Sequence, residues 1–218
     1  MQPSSVDTSD KPASQSRAKP FDLVVRGFSL LYNRLPFSYN TLVTALGYRA
    51  PDLVAAAIAP HLHADATLLD AGCGTGLTAR AMRKRMPMVV LDGFDLSEDM
   101  LRLAAKTGLY RTTKTADATA ELPFPSDSYD AAVSSGLYTL GHVGPEALEP
   151  VLACLRPGGL FGLNIYDAAW DQLDFELAFD RLVQNGTIEI VSHEHAIHFG
   201  RIGQTCRVIV VRKTLLAA

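Results

Sequence analysis

The chain contains 218 residues, and 48% of them are hydrophobic, enough to bury the core of one domain. Its 20 basic and 23 acidic side chains leave a net charge of -3, so no basic field favours nucleic acid as a partner. The three cysteines are too widely spaced for a disulfide framework or a zinc site. No apolar run reaches the roughly 20 residues of a membrane span. We therefore expect a cytoplasmic protein with no membrane contact.

The N-terminal part of the sequence contains no strand pattern. Residues 1–20 are polar and proline-containing, and we predict that they form a disordered tail. Apolar residues then recur at helical spacing, and Pro36 and Pro51 divide this stretch into two or three helices. Because these helices precede the first strand, we interpret residues 21–63 as an N-terminal helical cap and residues 64–218 as the main domain.

Strands and helices alternate through the main domain. The predicted strands are residues 67–70, 88–95, 114–116, 129–134, 160–166, 187–191 and 206–213. The predicted helices are residues 76–85, the segment capped by Ser97 and ending near Lys106, 145–155 and 170–184, and a His-rich turn separates the last two strands. Such alternation is typical of a parallel sheet covered on both faces, with one reversed strand possible at the end. The predicted fold is α/β, a doubly wound Rossmann-like sheet of about seven strands with an N-terminal helical cap.

A glycine-rich loop follows the first strand. Gly72, Gly74 and Gly76 stand at alternate positions after Asp70, whereas a plain strand-to-helix turn needs only one glycine. The dinucleotide pattern Gly-x-Gly-x-x-Gly fails because its third position falls on Leu77. The loop instead favours a ligand with a zwitterionic amino-acid tail, whose carboxylate meets backbone amides. Asp70 would hold its ammonium or order the loop through backbone hydrogen bonds.

A second acid, Asp95, ends the second strand about 20 residues beyond the glycines, where an acid usually accepts the two hydroxyls of a ribose. Together the glycine loop and this acid predict a nucleoside-containing ligand without a pyrophosphate.

Three segments resemble motifs of one enzyme family. The segment from Leu68 to Gly76 resembles the first motif of the class I S-adenosylmethionine-dependent methyltransferases. Phe94-Asp95-Leu96-Ser97 resembles their second-strand motif, and Leu155-Arg156-Pro157-Gly158-Gly159 resembles their turn before the fifth strand. Within this family the chain is similar to the methyltransferases of the Williams-Beuren syndrome region type. That similarity lies in residues 47–51, 72–78 and 179–182, while Tyr32-Asn33 and Tyr39-Asn40 stand where such proteins have Tyr-Asp pairs.

The resemblance implies S-adenosyl-L-methionine as the cofactor and S-adenosyl-L-homocysteine as its product. Asp95 would then hold the ribose, and Leu96 would flank the adenine. Asp117 would read the adenine amino group, or would be a solvated loop acid. The candidate cofactor-binding residues are Tyr32, Arg49, Asp70, Gly72, Cys73, Gly74, Gly76, Asp95, Leu96, Asp117, Ala118, Ser135 and Gly136. Ser135 and Gly136 would lie beside the methionine portion and the transferred methyl group.

The candidate catalytic residues are His142 and Tyr138, which follow Gly136 in the loop after the fourth strand. Histidine has a pKa suited to a general base, which is needed only if the methyl acceptor arrives protonated. Alternatively, His142 faces solvent or caps a turn. Tyr32 would close over the cofactor or pack between cap helices. Arg49 would pair with a carboxylate or lie on the surface.

No metal site is predicted, because His193, His195 and His198 lack a fourth ligand. No large insertion follows the fifth strand, and this favours a small-molecule methyl acceptor with an oxygen or nitrogen nucleophile. A protein or RNA methyltransferase is the alternative, although Ser134-Ser135-Gly136-Leu137 lacks the Asn/Asp-Pro-Pro-aromatic motif of nitrogen methylation. An NAD-dependent oxidoreductase and a non-catalytic cofactor-binding protein are further alternatives. The sequence makes no prediction of the oligomeric state.

Overall fold

The computed structural model describes residues 36–214, and for residues 36–39 it describes the backbone alone. The predictions for residues 1–20 and for Tyr32 lie outside these residues. No helix between residues 36 and 214 is both long enough and apolar enough to cross a membrane.

Seven strands form one sheet. The strands are β1 (Thr67–Ala71), β2 (Val90–Asp95), β3 (Thr112–Thr115), β4 (Tyr129–Tyr138), β5 (Leu155–Tyr166), β6 (Ile188–Phe199) and β7 (Gln204–Lys213). The helices are α1 (Pro36–Ala45), α2 (Ala50–Ile58), α3 (Leu77–Arg85), α4 (Glu98–Lys106), α5 (Leu148–Cys154), α6 (Asp167–Gln172) and α7 (Phe175–Gln184). Short 3-10 turns occur at Ala59–His61 and Pro145–Ala147.

The strand order is β3-β2-β1-β4-β5-β7-β6. The first five strands in this order are parallel, while β7 runs antiparallel to both β5 and β6. This confirms the predicted doubly wound α/β fold with a reversed strand. The direction of strand order changes between β1 and β4, so the loops that follow these two strands open a crevice at the carboxyl edge of the sheet.

Helix α2, which the sequence assigns to the cap, covers one face of the sheet. Val54 and Ile58 on α2 are fully buried. A β-carbon on Gly162 of β5 would lie only 3.0 Å from the β-carbon of Ile58, so the glycine permits this close approach. Pro51 stands in the first turn of α2, where its missing N–H needs no partner. Pro51 therefore begins a helix. The domain boundary at residue 63 stays a prediction.

Two predicted elements differ from the structure. Strand β6 runs through His193, His195 and His198, so the predicted His-rich turn is wrong, and the chain turns at residues 200–203 instead. Strand β6 is at the edge of the sheet and leaves many polar side chains exposed, which gives it the composition of a loop. The predicted helix 170–184 is likewise divided into α6 and α7, and Asp174 adopts a left-handed φ of 54° between them.

Candidate functional site

The loops after β1, β2, β3 and β4 surround a cavity of about 330 Å³ at the carboxyl edge of the sheet. Its volume lies at the lower end of the range for small-ligand sites. The predicted residues that line it are Gly72, Cys73, Gly74, Asp95, Leu96, Asp117, Ala118, Ser135, Gly136 and His142. The fold therefore brings together residues that are up to 70 positions apart in the sequence, as the resemblance implied.

The glycine loop has a backbone that other residues adopt only with strain. Gly72, Gly74 and Gly76 have φ angles of 66°, 51° and 90°. A β-carbon on Gly72 would also lie 2.9 Å from a methyl carbon of Leu137. Gly76 caps the N-terminus of α3 and does not line the cavity, so its role is to turn the chain.

Asp95 joins the first two loops of the site. Its Oδ2 accepts a hydrogen bond of 2.8 Å from the backbone N–H of Gly74, and its Oδ1 accepts one of 2.9 Å from that of Ser97. Each carboxylate oxygen has a second lone pair with which it can accept a ligand hydroxyl. Asp95 is thus buried and oriented before any ligand binds, as a ribose-binding acid requires.

His142 lies at the mouth of the cavity, and its ring is oriented by Gly136. Nδ1 of His142 is 3.3 Å from the carbonyl oxygen of Gly136. A carbonyl only accepts hydrogen bonds, so this contact favours the neutral tautomer that carries its proton on Nδ1. The ring is exposed toward the cavity, but the surrounding walls desolvate it and lower its pKa below the usual value, which favours the neutral form.

Comparisons with known proteins agree with this geometry. Residues 68–159 match a methyltransferase domain family. Methyltransferase-like protein 27 of Homo sapiens is 34% identical over 169 residues, which cover 72% of this chain and 66% of that protein. The malonyl-[acyl-carrier protein] O-methyltransferase of Serratia marcescens is 31% identical over 122 residues, covering 52% of this chain and 47% of that protein. The chain therefore spans less than two thirds of the length of either relative.

A solved structure of an S-adenosylmethionine-dependent methyltransferase from Mesorhizobium loti has the same fold. Its TM-score is 0.55 at 20% identity, and the match covers 72% of this chain and 96% of that one. Residues 68–159 therefore form a methyltransferase domain, and the sheet around them has the fold of the class I methyltransferases. The narrower resemblance to the Williams-Beuren syndrome region type stays a prediction.

The class I methyltransferases imply S-adenosylmethionine as methyl donor, and the cavity fits it. Gly72 and Gly74 bring bare backbone to the cavity wall, where the carboxylate of an amino-acid tail needs amide donors. Leu96 lines the cavity with 72% of its side chain exposed, so it offers an apolar surface to a flat ring such as adenine. Asp95 supplies the acceptors for ribose hydroxyls. These three features match the three parts of the cofactor.

Asp70 does not line the cavity, so of its two predicted roles this position favours ordering the glycine loop over holding a ligand ammonium. It is fully buried behind the glycine loop, and its Oδ2 accepts a hydrogen bond of 2.6 Å from the hydroxyl of Tyr110. Burial raises the pKa of Asp70 to about 7. Asp70 thus contacts the interior because the glycines turn the chain away immediately after it.

Tyr138 and Arg49 also lie outside the cavity. Tyr138 is fully buried, and its hydroxyl donates to the carbonyl of Ala147 at 3.2 Å, a position that supports a structural role. Its catalytic role stays a prediction. The pairing of β4 with β5 is irregular between Ser134 and Tyr138, and this irregularity decides which face Tyr138 points toward. Arg49 is exposed at the start of α2, which agrees with its predicted alternative as a surface residue, and its contact with a carboxylate stays a prediction.

Sequence reasoning missed several residues of the site. Tyr48 and Thr78 line the cavity, and Oγ1 of Thr78 lies 2.6 Å from Oγ of Ser135, which ties α3 to β4. Oγ1 of Thr75 donates to Oδ1 of Asn40 on α1 at 2.6 Å, so α1 contacts the glycine loop. Thr75 lies between Gly74 and Gly76, and Thr78 stands two residues after Gly76, so their closeness to the glycines was the available signal.

The three histidines of β6 do not lie together. His198 is fully buried beside the ring of Tyr166, while His193 and His195 are exposed. Among residues 36–214, no group of three or more His, Cys, Asp or Glu side chains could hold a metal ion.

Proposed function

We propose that this class I methyltransferase transfers a methyl group from S-adenosylmethionine to an oxygen or nitrogen atom of a small-molecule acceptor in the cytoplasm. The observation that carries the proposal is the single cavity that joins the glycine loop and Asp95 to Gly136 and His142. One end of this cavity fits the cofactor, and the other end holds a neutral histidine. A cofactor site and a candidate base in one cavity are what methyl transfer to a protonated acceptor requires.

The size of the cavity supports a small acceptor. Loops from four strands line the whole cavity of about 330 Å³, which the acceptor group shares with the cofactor, so the group that enters it is metabolite-sized. The Serratia marcescens relative is named as an O-methyltransferase, which supports an oxygen nucleophile here. Its name also includes an acyl-carrier protein, so a protein-bound acceptor is the alternative.

The chemistry divides between the cofactor and the chain. Bound S-adenosylmethionine supplies a methyl carbon on a sulfonium, and the electron pair of the broken carbon–sulfur bond stays on sulfur. The amides of the glycine loop and Asp95 hold the cofactor in place. Nε2 of His142 accepts the proton that an acceptor O–H or N–H loses as its heteroatom bonds to the methyl carbon.

Titration calorimetry with S-adenosylmethionine, S-adenosylhomocysteine and NAD tests the cofactor. We expect binding of the first two and no binding of NAD, and the reverse result would assign the site to an oxidoreductase. A radiolabelled methyl assay then tests the acceptor with separate metabolite, protein and RNA fractions. Label in the metabolite fraction supports the proposal, whereas label confined to protein or RNA supports the alternative.

A further inference from the structure

The backbone of Gly136 is contacted on both sides of its α-carbon. Its N–H donates to Oδ1 of Asn164 on the neighbouring strand β5 at 3.0 Å. Nδ1 of His142 lies 3.3 Å from its carbonyl oxygen. A continuous hydrogen-bonded path therefore runs from the interior of the sheet, through one glycine, to the ring of the candidate base.

Asn164 is an unusual residue for its place. It is fully buried on β5 between Leu163 and Ile165, which are also fully buried. Burying an amide side chain costs free energy unless it makes hydrogen bonds. Because only the amide oxygen accepts, the bond from Gly136 fixes the orientation of the Asn164 side chain. Its Oδ1 accepts the N–H of Gly136, and its side chain also lies beside the thiol of Cys206.

Tyr48 holds Gly136 from a third side. A β-carbon on Gly136 would lie 2.7 Å from the hydroxyl oxygen of Tyr48, closer than real β-carbons come to other atoms. The glycine therefore allows the phenol to pack directly on its α-carbon. Tyr48 is itself fixed, because its backbone pairs with Phe199 and the two rings lie 4.8 Å apart. A change in the backbone conformation of Gly136 would therefore require Tyr48 to move.

We propose that Asn164 and Tyr48 are positioning residues, which fix the backbone of Gly136 at its N–H and at its α-carbon, so that its carbonyl stays in place, His142 keeps its proton on Nδ1 and Nε2 faces the methyl acceptor. This rests on the proposed function, in which His142 is the base. The physical reason is that a neutral imidazole in water prefers its proton on Nε2. A fixed carbonyl facing Nδ1 reverses this preference, since the hydrogen bond at one ring nitrogen decides the tautomer.

Imidazole nitrogen NMR of the uniformly labelled full chain tests the proposal without cofactor or acceptor. It is recorded above the usual pKa of histidine, where the ring is neutral. We expect the Nδ1–H tautomer of His142 in the wild type. Asn164→Ala frees the Gly136 amide and should shift His142 toward the Nε2–H tautomer, and Tyr48→Phe should shift it in the same direction. A wild type with the proton on Nε2, or tautomers unchanged in both variants, would overturn the proposal.

Ser134→Ala is the matched control. Ser134 is as buried as Asn164, lies two residues before Gly136 and donates its hydroxyl hydrogen bond to Ala71 instead. Its removal should leave the His142 tautomer unchanged, and a shift there would contradict a specific role for Asn164. If Asn164→Ala does not fold, the proposal is tested by the tautomer of His142 in the wild type and by the change of that tautomer in Tyr48→Phe.

Calorimetry with S-adenosylhomocysteine separates this inference from the proposed function. Asn164→Ala should retain the affinity within about twofold, because Asn164 does not line the cavity. Failure of the wild type to bind S-adenosylhomocysteine would contradict the proposed function. The NMR result would still show whether the contacts of Asn164 and Tyr48 with Gly136 set the tautomer of His142.

Discussion

The hydroxyl of Tyr110 donates a hydrogen bond of 2.6 Å to a carboxylate oxygen of Asp70, beneath the glycine loop. The ring of Tyr110 also lies against the loop and its neighbouring strand. An added β-carbon would come within 3.3 Å of this ring at Gly76 and within 2.9 Å at Gly93. This buried pair thus supports the cofactor loop from inside the protein, and it does so with a carboxyl group that burial makes hard to ionise.

Stability should therefore depend on the ionisation of Asp70. Its pKa is about 7 in the folded protein, well above that of a carboxyl group in the unfolded chain. The folded state binds the proton more tightly, so the stabilisation is complete below the unfolded pKa and is lost as pH rises toward 7. The asparagine side chain in Asp70→Asn cannot ionise. The variant should therefore not show this decrease in unfolding free energy with rising pH, which amounts to as much as about 4 kcal/mol in the wild type.

The measurement for Asp70 is the free energy of unfolding by denaturant across the pH range from below the usual carboxyl pKa to above neutrality. Asp171→Asn, which changes an exposed acid, should keep the wild-type profile. An Asp70→Asn variant that loses the same stability with rising pH would show that another group is responsible.

Gly74→Val should weaken S-adenosylhomocysteine binding at least about tenfold. Gly74 has a φ of 51°, which a β-branched residue adopts only with strain, and its N–H is bonded to Asp95. Gly108→Val is the matched control, because Gly108 has a φ of 67° and open space around its α-carbon away from the cavity. Calorimetry should show normal affinity for the control. An equal loss of affinity in both variants would show that Gly74→Val acts through general destabilisation of the fold.

Asp95→Asn should lower the affinity for the cofactor by a factor of about 10 to 100, because hydrogen bonds to a charged group contribute about 1.5 to 3 kcal/mol. The amide group of asparagine would also face one of the N–H donors of Gly74 and Ser97 that the carboxylate now accepts. Glu98→Gln removes a nearby exposed charge and should keep the affinity within about twofold. An unchanged dissociation constant for Asp95→Asn would mean that a different acid holds the ribose.

His142→Ala should lower turnover by a factor of about 10² to 10⁴ without a change in S-adenosylmethionine affinity. The pKa of His142 is lowered by desolvation, so the wild-type kcat should fall only at pH values below the usual histidine pKa, where the ring becomes protonated. This acidic limb should be absent in the variant. His61→Ala, at an exposed histidine, should behave as the wild type. The measurement is kcat against pH with an acceptor from the radiolabel screen, and normal turnover in His142→Ala would remove this residue from the mechanism.

Tyr138→Phe should lower stability and leave the site intact. The hydroxyl of Tyr138 is buried and bonded to the carbonyl of Ala147, so its removal should cost about 1 kcal/mol of unfolding free energy. Denaturant unfolding measures that cost, and calorimetry should show unchanged S-adenosylhomocysteine affinity. A variant with lower turnover and unchanged unfolding free energy would instead support a catalytic role for the hydroxyl of Tyr138.

The sequence alone determined the fold class and predicted the residues of the proposed cofactor site. Gly72, Gly74 and Asp95 are recognisable because their roles are local: the glycines serve a turn that only they adopt easily, and the acid stands at the end of its own strand. Ser97 is equally local, since it caps the helix that starts at the next residue. For such residues the neighbours along the chain provide most of the physical environment.

Only the tertiary structure decided the acceptor end of the site. Tyr138 and Tyr48 have the same side chain, yet an irregularity in the pairing of β4 with β5 leaves Tyr138 in the core, and a backbone bridge to Phe199 places Tyr48 at the cavity. Asn164 is one polar residue in an apolar strand, and its partner Gly136 is 28 positions away. These roles depend on strand register and on contacts between distant segments, which local sequence patterns do not encode.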